Sequence, residues 1–260
     1  MRTHMGVVTG IFLFAATIAV SADTKIEFKA TENGGSGMST VLIGQGKIRS
    51  DTSTGMVLID PTEGSMTIVA NDKQQYTKIT KADMKQIADM VAMTEQAMAG
   101  MTAEMRQMVQ SRMGGAAAAQ PAAVTVDTGE KATVAGKSCR IFRTTQGGRT
   151  TQESCLADPS AFDLPAADRA TMTAAIAFAK EITDSLTKSP MFGQIVSTSP
   201  FPSGLVPLRT TNIDAGGKRM TSELVGVSTS ALPADTFAIP AGFKEQKLPV
   251  MGRGRGRGGN

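Results

Sequence analysis

The chain holds only two cysteines, Cys139 and Cys155, and their spacing constrains the fold more than any other feature of the sequence. Midway between them lies Gln146-Gly147-Gly148, which is typical of a tight turn between two β-strands. A hairpin that turns there places the two cysteines opposite each other on neighbouring strands. A disulfide that closes a loop of about 15 residues stabilises a fold by roughly 3 kcal/mol in the chain-entropy model. Because the C-x-x-C spacing of redox-active pairs is absent, we predict a structural disulfide, with a redox pair as the alternative.

The remaining sequence alternates between strand-like and helix-like patterns. From 23 to 80, short apolar stretches are separated by Gly, Asp, Asn and Pro, as in an antiparallel meander. Residues 81–113 repeat apolar side chains at three- and four-residue steps, which indicates a helical insert. Residues 114–123 form a low-complexity linker, and a second helix is predicted from Pro165 to Leu186. The order strands, helix, strands, helix, strands predicts an α+β fold whose helices lie on one face of an antiparallel sheet.

The first 22 residues are typical of a secretory signal peptide. Arg2 supplies a positive start, and an apolar run of 14 residues extends from Val7 to Val20. At ~1.5 Å per residue this run reaches only ~21 Å, which is less than the ~30 Å hydrocarbon core of a bilayer. Small residues occupy the end of the segment, so we predict cleavage after Ala22 and a soluble product exported to the periplasm.

Composition excludes several classes of catalytic site. The one histidine of the chain, His4, lies in the predicted signal peptide. The mature protein would therefore lack the imidazole that a Ser-His-Asp site, a Cys-His site or a histidine-ligated zinc site needs. Aspartates and glutamates are scattered, with no spacing that singles out an acid–base pair. We predict a protein that is not an enzyme and that has no cofactor.

The positive charge of the chain is concentrated at its two ends. The chain carries 27 basic and 23 acidic side chains, for a net charge of +4. Arg2, Arg253, Arg255 and Arg257 account for this excess, so the body is near neutral and offers no basic surface for nucleic acid. Residues 249–260 form a Gly/Arg tail that we predict to be disordered. Two interpretations of this tail are open: a solvated segment with no target, and a segment that contacts an anionic membrane surface in the periplasm.

Several short motifs resemble a known fold family. They are Gly46-Lys47-Ile48-Arg49, the Tyr76 strand that leads into a methionine-rich helix, Val134-Ala135-Gly136-Lys137-Ser138-Cys139, Gly204-Leu205-Val206-Pro207-Leu208-Arg209, Leu232-Pro233, and Phe237-Ala238-Ile239-Pro240-Ala241-Gly242-Phe243. With these motifs the chain resembles the periplasmic lipoprotein-carrier (Lol-type) half-barrel superfamily. The closest resemblance is to an exported bacterial family catalogued only as a domain of unknown function.

The resemblance covers most of residues 23–248 and implies both a fold and a kind of site. The implied fold is a curved antiparallel β-sheet (half-barrel) with two helical segments packed on its concave face. Between the sheet and the helices it implies an apolar cavity, which the carriers use to hold acyl chains.

The helical insert is rich in methionine, because eight of the 17 methionines lie between 84 and 113. Three interpretations are open. The methionines fill the core, since methionine packs into irregular gaps; they line a site for an apolar ligand; or they bind Cu(I), for which thioethers are suitable ligands. The spacing that favours copper is Met-x-x-Met, which occurs as Met90 and Met93, Met98 and Met101, and Met105 and Met108.

We predict that the protein holds an apolar or lipid ligand between the sheet and the methionine-rich helix. The predicted lining residues are Met98, Met101, Met105 and Met108 from the first helix, and Ile176, Ile182 and Leu186 from the second. Each buried CH₂ group would contribute ~0.8 kcal/mol to binding. Two alternatives are a methionine-rich Cu(I)-binding protein and an envelope interaction protein with a closed core, whose protein partner the sequence does not identify.

Overall fold

A computed structural model describes most of the predicted domain. The described residues are 23–32, 35–52, 54–102, 104–105, 108, 123–187 and 204–247. The predicted signal peptide (1–22), the predicted tail (249–260) and residues 114–122 of the predicted linker lie outside these ranges. Within the described ranges, no helix combines the length and the apolar character that crossing a bilayer requires.

Six strands at the start of the described chain form an antiparallel meander, as the pattern between 23 and 80 predicts. They are β1 (Asp23–Glu32), β2 (Gly35–Gly44), β3 (Lys47–Asp51), β4 (Gly55–Asp60), β5 (Ser65–Ala70) and β6 (Gln75–Thr80). Each strand pairs with the next one along the chain. The turn between β2 and β3 is sharp because Gln45 and Gly46 both adopt positive φ, of 52° and 72°. Two-residue turns of this kind match the twist of the strands that they connect.

Five further strands form a second meander. They are β7 (Val124–Val134), β8 (Lys137–Gln146), β9 (Arg149–Ala157), β10 (Val206–Ile213) and β11 (Arg219–Ser230). β11 pairs antiparallel with β1, which joins the two meanders into one sheet. A short strand, β12 (Lys244–Glu245), pairs parallel with β6. Among the described residues the strand order is therefore β12-β6-β5-β4-β3-β2-β1-β11-β10-β9-β8-β7.

The helices begin close to the positions that the sequence predicts. They are α1 (Lys81–Ala99), a 3₁₀-helix (Pro159–Phe162) and α2 (Ala166–Thr187). α1 begins after a reciprocal cap, in which the Asp83 amide donates to Thr80 Oγ1 at 3.2 Å and the Thr80 amide donates to Asp83 Oδ2 at 2.8 Å. The hydrogen bonds from Thr80 also lower the pKa of Asp83. Both ends of α2 lie within one residue of the predicted bounds.

The two faces of the first meander are covered by different parts of the chain. Side chains alternate along a strand, so Met56 and Leu58 of β4 point to one face and Val57 and Ile59 point to the other. The Val57 face is the concave one and is turned toward α2. The opposite face is covered by the chain that follows β11, which buries Phe237 against Met56 and Leu58. The sheet is curved and open, which confirms the predicted α+β half-barrel.

The cysteine hairpin forms as predicted, but its register differs from the prediction. Cys139 and Cys155 are joined in a disulfide, with their Cα atoms 5.3 Å apart. Cys155 lies opposite Ile141 and not opposite Cys139, so the disulfide runs diagonally between β8 and β9. The predicted direct opposition is wrong because the turn uses only two residues and the pairing skips Thr151 at an irregularity in the ladder.

The main core surrounds this disulfide. Cys139 and Cys155 are both buried, and they pack with Ile141, Leu208 and Phe162 between the second meander and the helical layer. Sulfur atoms that are buried in this way are shielded from solvent reductants, which favours a structural role for the disulfide.

Candidate functional site

An apolar groove of about 450 Å³ lies between the concave face of the sheet and α2. Its volume falls within the ~300–1,000 Å³ that is usual for small-molecule sites. Fourteen apolar residues and three serines line it. The apolar residues are Ile26, Phe28, Val41, Ile43, Ile48, Val57, Ile59, Val206 and Pro207 from the strands, and Phe162, Met172, Ala175, Ile176 and Ala179 from the helical layer.

The sheet wall of the groove is built from rows of side chains. Residues that lie directly opposite each other on neighbouring strands share a face, so the strand register defines each row. Ile43, Ile48 and Ile59 form one row across β2, β3 and β4. Val41 and Val57 belong to the next row, each two residues before the isoleucine of its own strand, with Ser50 between them. The isoleucine row is therefore branched-aliphatic over three neighbouring strands, and the next row is branched-aliphatic on both sides of Ser50.

The helix wall is formed by one side of α2. Met172, Ala175, Ile176 and Ala179 follow the three- and four-residue steps that place side chains on one helix face. Two of these four are alanines, whose side chains end at Cβ. Because the alanines reach only a short way toward the sheet, they leave open the space that larger side chains would fill.

A buried hydrogen bond closes one end of the groove. Thr24 Oγ1 donates to Asp168 Oδ2 at 2.5 Å, and both residues are buried. Thr24 lies opposite Ile43, so the bond joins the first turn of α2 to the isoleucine row. Burial raises the pKa of Asp168 and the nearby Asp23 carboxylate raises it further, while the Thr24 hydrogen bond acts in the opposite direction. Asp23 in turn accepts a hydrogen bond from the Leu232 amide at 3.0 Å.

The polar lining of the groove consists of the hydroxyl groups of Ser39, Ser50 and Ser222. All three serines are half-buried. Within the part of the chain that the structure describes, none of these hydroxyls takes part in a hydrogen bond. None of the described residues that line the groove is charged. The groove therefore combines apolar walls with hydroxyls that have hydrogen-bonding capacity to spare.

The predicted lining residues of the second helix lie at different places. Ile176 lines the groove. Ile182 instead lines a second cleft of about 370 Å³ between α1 and α2. That cleft has charged walls, where Lys81 Nζ pairs with Glu181 Oε2 at 2.8 Å and lies 5.8 Å from the Phe178 ring centre. The side chain of Leu186 lies outside the described residues, so its role stays a prediction.

The predicted lining residues of the first helical segment are not among the described walls of the groove. Met101 is half-buried, whereas Met105 and Met108 are 49% and 58% exposed. The side chain of Met98 lies outside the described residues. The contact of these methionines with a ligand therefore stays a prediction, and so does the predicted contact of the tail with a membrane.

Metal binding by the methionines is likewise untested. Within the described ranges, no group of three or more His, Cys, Asp or Glu side chains is placed to hold a metal ion. Thioether sulfurs are a different kind of ligand, and the side chains of Met90 and Met98 lie outside the described residues. The copper interpretation therefore stays an alternative.

Sequence reasoning missed the sheet wall of the groove. Val41-Leu42-Ile43 and Val57-Leu58-Ile59 are continuous apolar runs, because both faces of these strands are covered. Such runs conceal the alternation that would assign each side chain to a face. The three serines were the available signal, since they interrupt strands that are otherwise rich in apolar residues.

Comparison with solved structures gives distant similarities. A structure of PNGF-II is 11% identical with a TM-score of 0.41, and the match covers 88% of this chain but only 31% of that one. The MucA/MucB complex of Pseudomonas aeruginosa is 15% identical with a TM-score of 0.32, covering 86% of this chain and 56% of that one. A LolA superfamily protein from Nitrosomonas europaea is 6% identical with a TM-score of 0.26, covering 83% and 89%.

Comparison with curated proteins gives no match. Comparison with protein families agrees with the prediction of a family whose function is undefined. The family described as "Domain of unknown function (DUF4412)" matches residues 24–243, which is most of the chain, and the protein therefore belongs to that family.

Proposed function

We propose that this protein is an exported, non-enzymatic binding protein that holds an apolar or lipid ligand between the concave face of its sheet and α2. The observation that carries this proposal is the groove of about 450 Å³ with its uncharged, largely apolar lining. Each CH₂ group that leaves water contributes ~0.8 kcal/mol, so an alkyl chain gains affinity from such walls without polar recognition. The groove adjoins α2, so the proposal places the ligand between the sheet and α2, and the contact of this ligand with the methionine-rich helix stays a prediction.

The concave face beside the groove also supports an open site. Ile48, Val57 and Ile59 are only half-buried although they are apolar. Ile68 lies opposite Val57 on β5 and is 44% exposed. A contiguous apolar surface of this kind on a soluble protein is typical of a binding site. An extended alkyl chain would cover this surface.

Export is proposed on two grounds. The first 22 residues have the pattern of a signal peptide, and the disulfide between Cys139 and Cys155 is of the kind that persists in oxidising compartments. The test is N-terminal sequencing of the protein recovered from the periplasmic fraction. We expect the sequence to begin at Asp23. Recovery of the intact leader in the cytoplasmic fraction would overturn this part of the proposal.

The binding proposal is tested by titrating the mature protein with phenylnaphthylamine, a neutral apolar dye that fluoresces when it leaves water. The blocking variant is Ala179→Phe, because Ala179 lines the groove and a phenyl ring there would occupy the space between α2 and the sheet. The matched control is Ala177→Phe on the same helix, where the side chain is exposed. We expect Ala179→Phe to weaken dye binding at least tenfold and Ala177→Phe to leave it unchanged.

Native mass spectrometry of protein purified from its own envelope fraction complements the titration. A co-purifying lipid that is lost in Ala179→Phe supports the proposal. Wild-type protein that is bare and takes up no dye contradicts it and favours an interaction protein with a closed core. Circular dichroism of both variants shows whether the added ring has changed the fold.

The copper alternative has one supporting observation. Met93 and Met105 are 71% and 49% exposed, so one residue of each of two Met-x-x-Met pairs is exposed to solvent. Thioethers are suitable Cu(I) ligands. The discriminating experiment is a Cu(I) titration of the wild type and of Met105→Leu with Met108→Leu. Tight binding that is lost in the double variant would support copper, whereas a groove ligand should be indifferent to these volume-conserving changes.

A further inference from the structure

We propose that the groove selects a single-chain amphiphile whose head group is uncharged and forms hydrogen bonds, and that Ser39, Ser50 and Ser222, at successive depths of the groove, offer this head group alternative hydrogen-bonding positions. The inference rests on the proposed binding function and specifies its ligand class. It follows from the positions of the three serines in the sheet, from the lack of hydrogen bonds between their hydroxyls and the described residues, and from the absence of charge in the described lining of the groove.

The serines lie progressively further from the closed end of the groove. The isoleucine row, which includes Ile43, marks that end, because Thr24 bonds to Asp168 there. Ser50 lies in the next row, opposite Val41. Ser39 lies one row beyond it, opposite Phe28, and Ser222 lies one row beyond that, opposite Ala30. Successive rows are ~7 Å apart, since a strand rises ~3.3 Å per residue and side chains alternate.

The burial of the lining side chains on β1 and β2 decreases in the same direction, away from the closed end of the groove. On β1 and β2, Thr24, Ile26 and Ile43 are buried, Phe28 and Ser39 further from the closed end are half-buried, and Gly37 beyond them is exposed. An alkyl chain would therefore lie against the isoleucine row and α2, and its polar end would emerge where the hydroxyls are. This orientation keeps the apolar part of the ligand out of water and lets the head group remain partly hydrated.

The hydrogen-bonding state of the three serine hydroxyls indicates what kind of head group they bind. A serine hydroxyl can donate one hydrogen bond and accept others. Across the described residues, no hydrogen bond uses the side chain of Ser39, Ser50 or Ser222. Each is thus available to a ligand hydroxyl, ester or amide. Because these hydroxyls can both donate and accept hydrogen bonds, they suit an uncharged head group that also forms hydrogen bonds.

The lack of charged side chains in the described lining of the groove narrows the class of ligand further. Every described residue that lines the groove is apolar or is a serine. A carboxylate or ammonium head group placed among them would lose hydration and find no counter-ion, and a charge that is partly buried without a partner is unfavourable. A glycerol ester, a long-chain alcohol or an acyl amide carries no such penalty.

The test compares three amphiphiles that share a twelve-carbon chain and differ in head group: monolauroylglycerol, laurate and dodecyltrimethylammonium. Each is used below its micelle concentration to displace phenylnaphthylamine from the mature protein. We expect monolauroylglycerol to displace the dye at about tenfold lower concentration than the two charged compounds, a preference that corresponds to ~1.4 kcal/mol. Equal potency of the three, or a preference for a charged head, would overturn the inference.

The variants identify which groups cause the preference. In Ser39→Ala with Ser50→Ala and Ser222→Ala, we expect monolauroylglycerol to lose its advantage, so that the three amphiphiles displace the dye at similar concentrations relative to one another. The matched control replaces three exposed serines, Ser36, Ser228 and Ser230, by alanine, and there the preference should persist. A preference that survives in the groove triple variant would contradict the assigned role of the serines.

The failure of this inference is distinguishable from the failure of the binding proposal. If the wild type binds no dye and no amphiphile, the binding function itself is wrong. If the dye binds and Ala179→Phe prevents it, but the head groups are not distinguished, then only the ligand class is wrong.

Discussion

Thr24 and Asp168 are 144 residues apart in sequence, yet Thr24 Oγ1 donates to Asp168 Oδ2 at 2.5 Å. The bond joins the beginning of β1 to the first turn of α2, and neither residue has more than 3% of its surface exposed. Because Thr24 is opposite Ile43, this contact fixes where α2 crosses the concave face. The position of the groove therefore depends on a polar contact as well as on apolar packing.

Removing the donor should destabilise the fold. Thr24→Val keeps the branched shape of the side chain but leaves Asp168 without its hydroxyl partner. A buried acceptor that loses its donor costs about 1–3 kcal/mol. We expect a loss of this size in the free energy of unfolding, measured by urea titration. Thr31→Val on the same strand, at an exposed position, should change it by less than ~0.5 kcal/mol. Equal effects of the two substitutions would contradict a special role for the Thr24 contact.

Replacing Asp168 by asparagine should change how stability depends on pH. Burial raises the pKa of Asp168, so the folded protein retains this proton to a higher pH than the unfolded chain, whose reference pKa is 3.8. As pH rises above about 4, the unfolded chain releases the proton first, and the contribution of Asp168 to stability decreases. Asp168→Asn removes this titration and keeps an oxygen that can accept from Thr24.

We therefore expect the free energy of unfolding of Asp168→Asn, minus that of the wild type, to increase from pH 4 to pH 7. Carboxylates with a lowered pKa, such as Asp83, depend on pH in the opposite sense, but they are present in both proteins and cancel in the difference. Urea titrations at several pH values provide the measurement. A difference that stays constant or declines over this range would show that Asp168 is not held in a desolvated state.

The sequence was sufficient to predict the elements and their order, for reasons visible in particular residues. Thr80 and Asp83 mark the start of α1 with a capping pattern that acts over three residues. The two cysteines mark a hairpin because the turn between them is short. Local signals of this kind need no knowledge of distant partners, and so the order of strands and helices could be predicted, whereas the half-barrel curvature was implied by the family resemblance.

The site was predicted less well because its geometry depends on distant contacts. α1 and α2 both show apolar positions at helical spacing, and periodicity alone does not indicate which helix crosses the sheet. The Thr24–Asp168 bond and the apolar face of α2 hold this helix on the sheet, and nothing near Asp168 in the sequence points to residue 24. The diagonal disulfide shows the same limitation, since skipping the single residue Thr151 shifts the register by one position.

Removing the disulfide should lower stability without changing the fold. Cys139→Ala with Cys155→Ala opens a loop defined by a sequence separation of 16, for which the chain-entropy model gives a loss of roughly 3 kcal/mol. We expect a lower midpoint of thermal unfolding and an unchanged far-ultraviolet circular dichroism spectrum. Reductant should lower the midpoint of the wild type and leave that of the double variant unchanged. A double variant as stable as the wild type would show that the core holds the hairpin on its own.

Gly55 should tolerate no side chain, because the neighbouring strand approaches it too closely. A Cβ atom at Gly55 would collide with the main-chain carbonyl oxygen of Val69, and Gly55 lies opposite Ala70 in the ladder between β4 and β5. A main-chain atom can move away only if the two strands separate. We expect Gly55→Ala to lower the free energy of unfolding by about 1–3 kcal/mol, the usual cost of overpacking.

The matched substitution is Gly226→Ala, at a strand position where a Cβ atom would meet nothing within 4 Å. We expect it to be neutral or slightly stabilising, because alanine restricts the unfolded chain more than glycine does. Urea unfolding of both variants provides the comparison. Since β4 supplies Val57 and Ile59 to the groove, separation of β4 from β5 should also weaken dye binding in Gly55→Ala alone. Full stability of Gly55→Ala would mean that the two strands are not packed as closely as the fold requires.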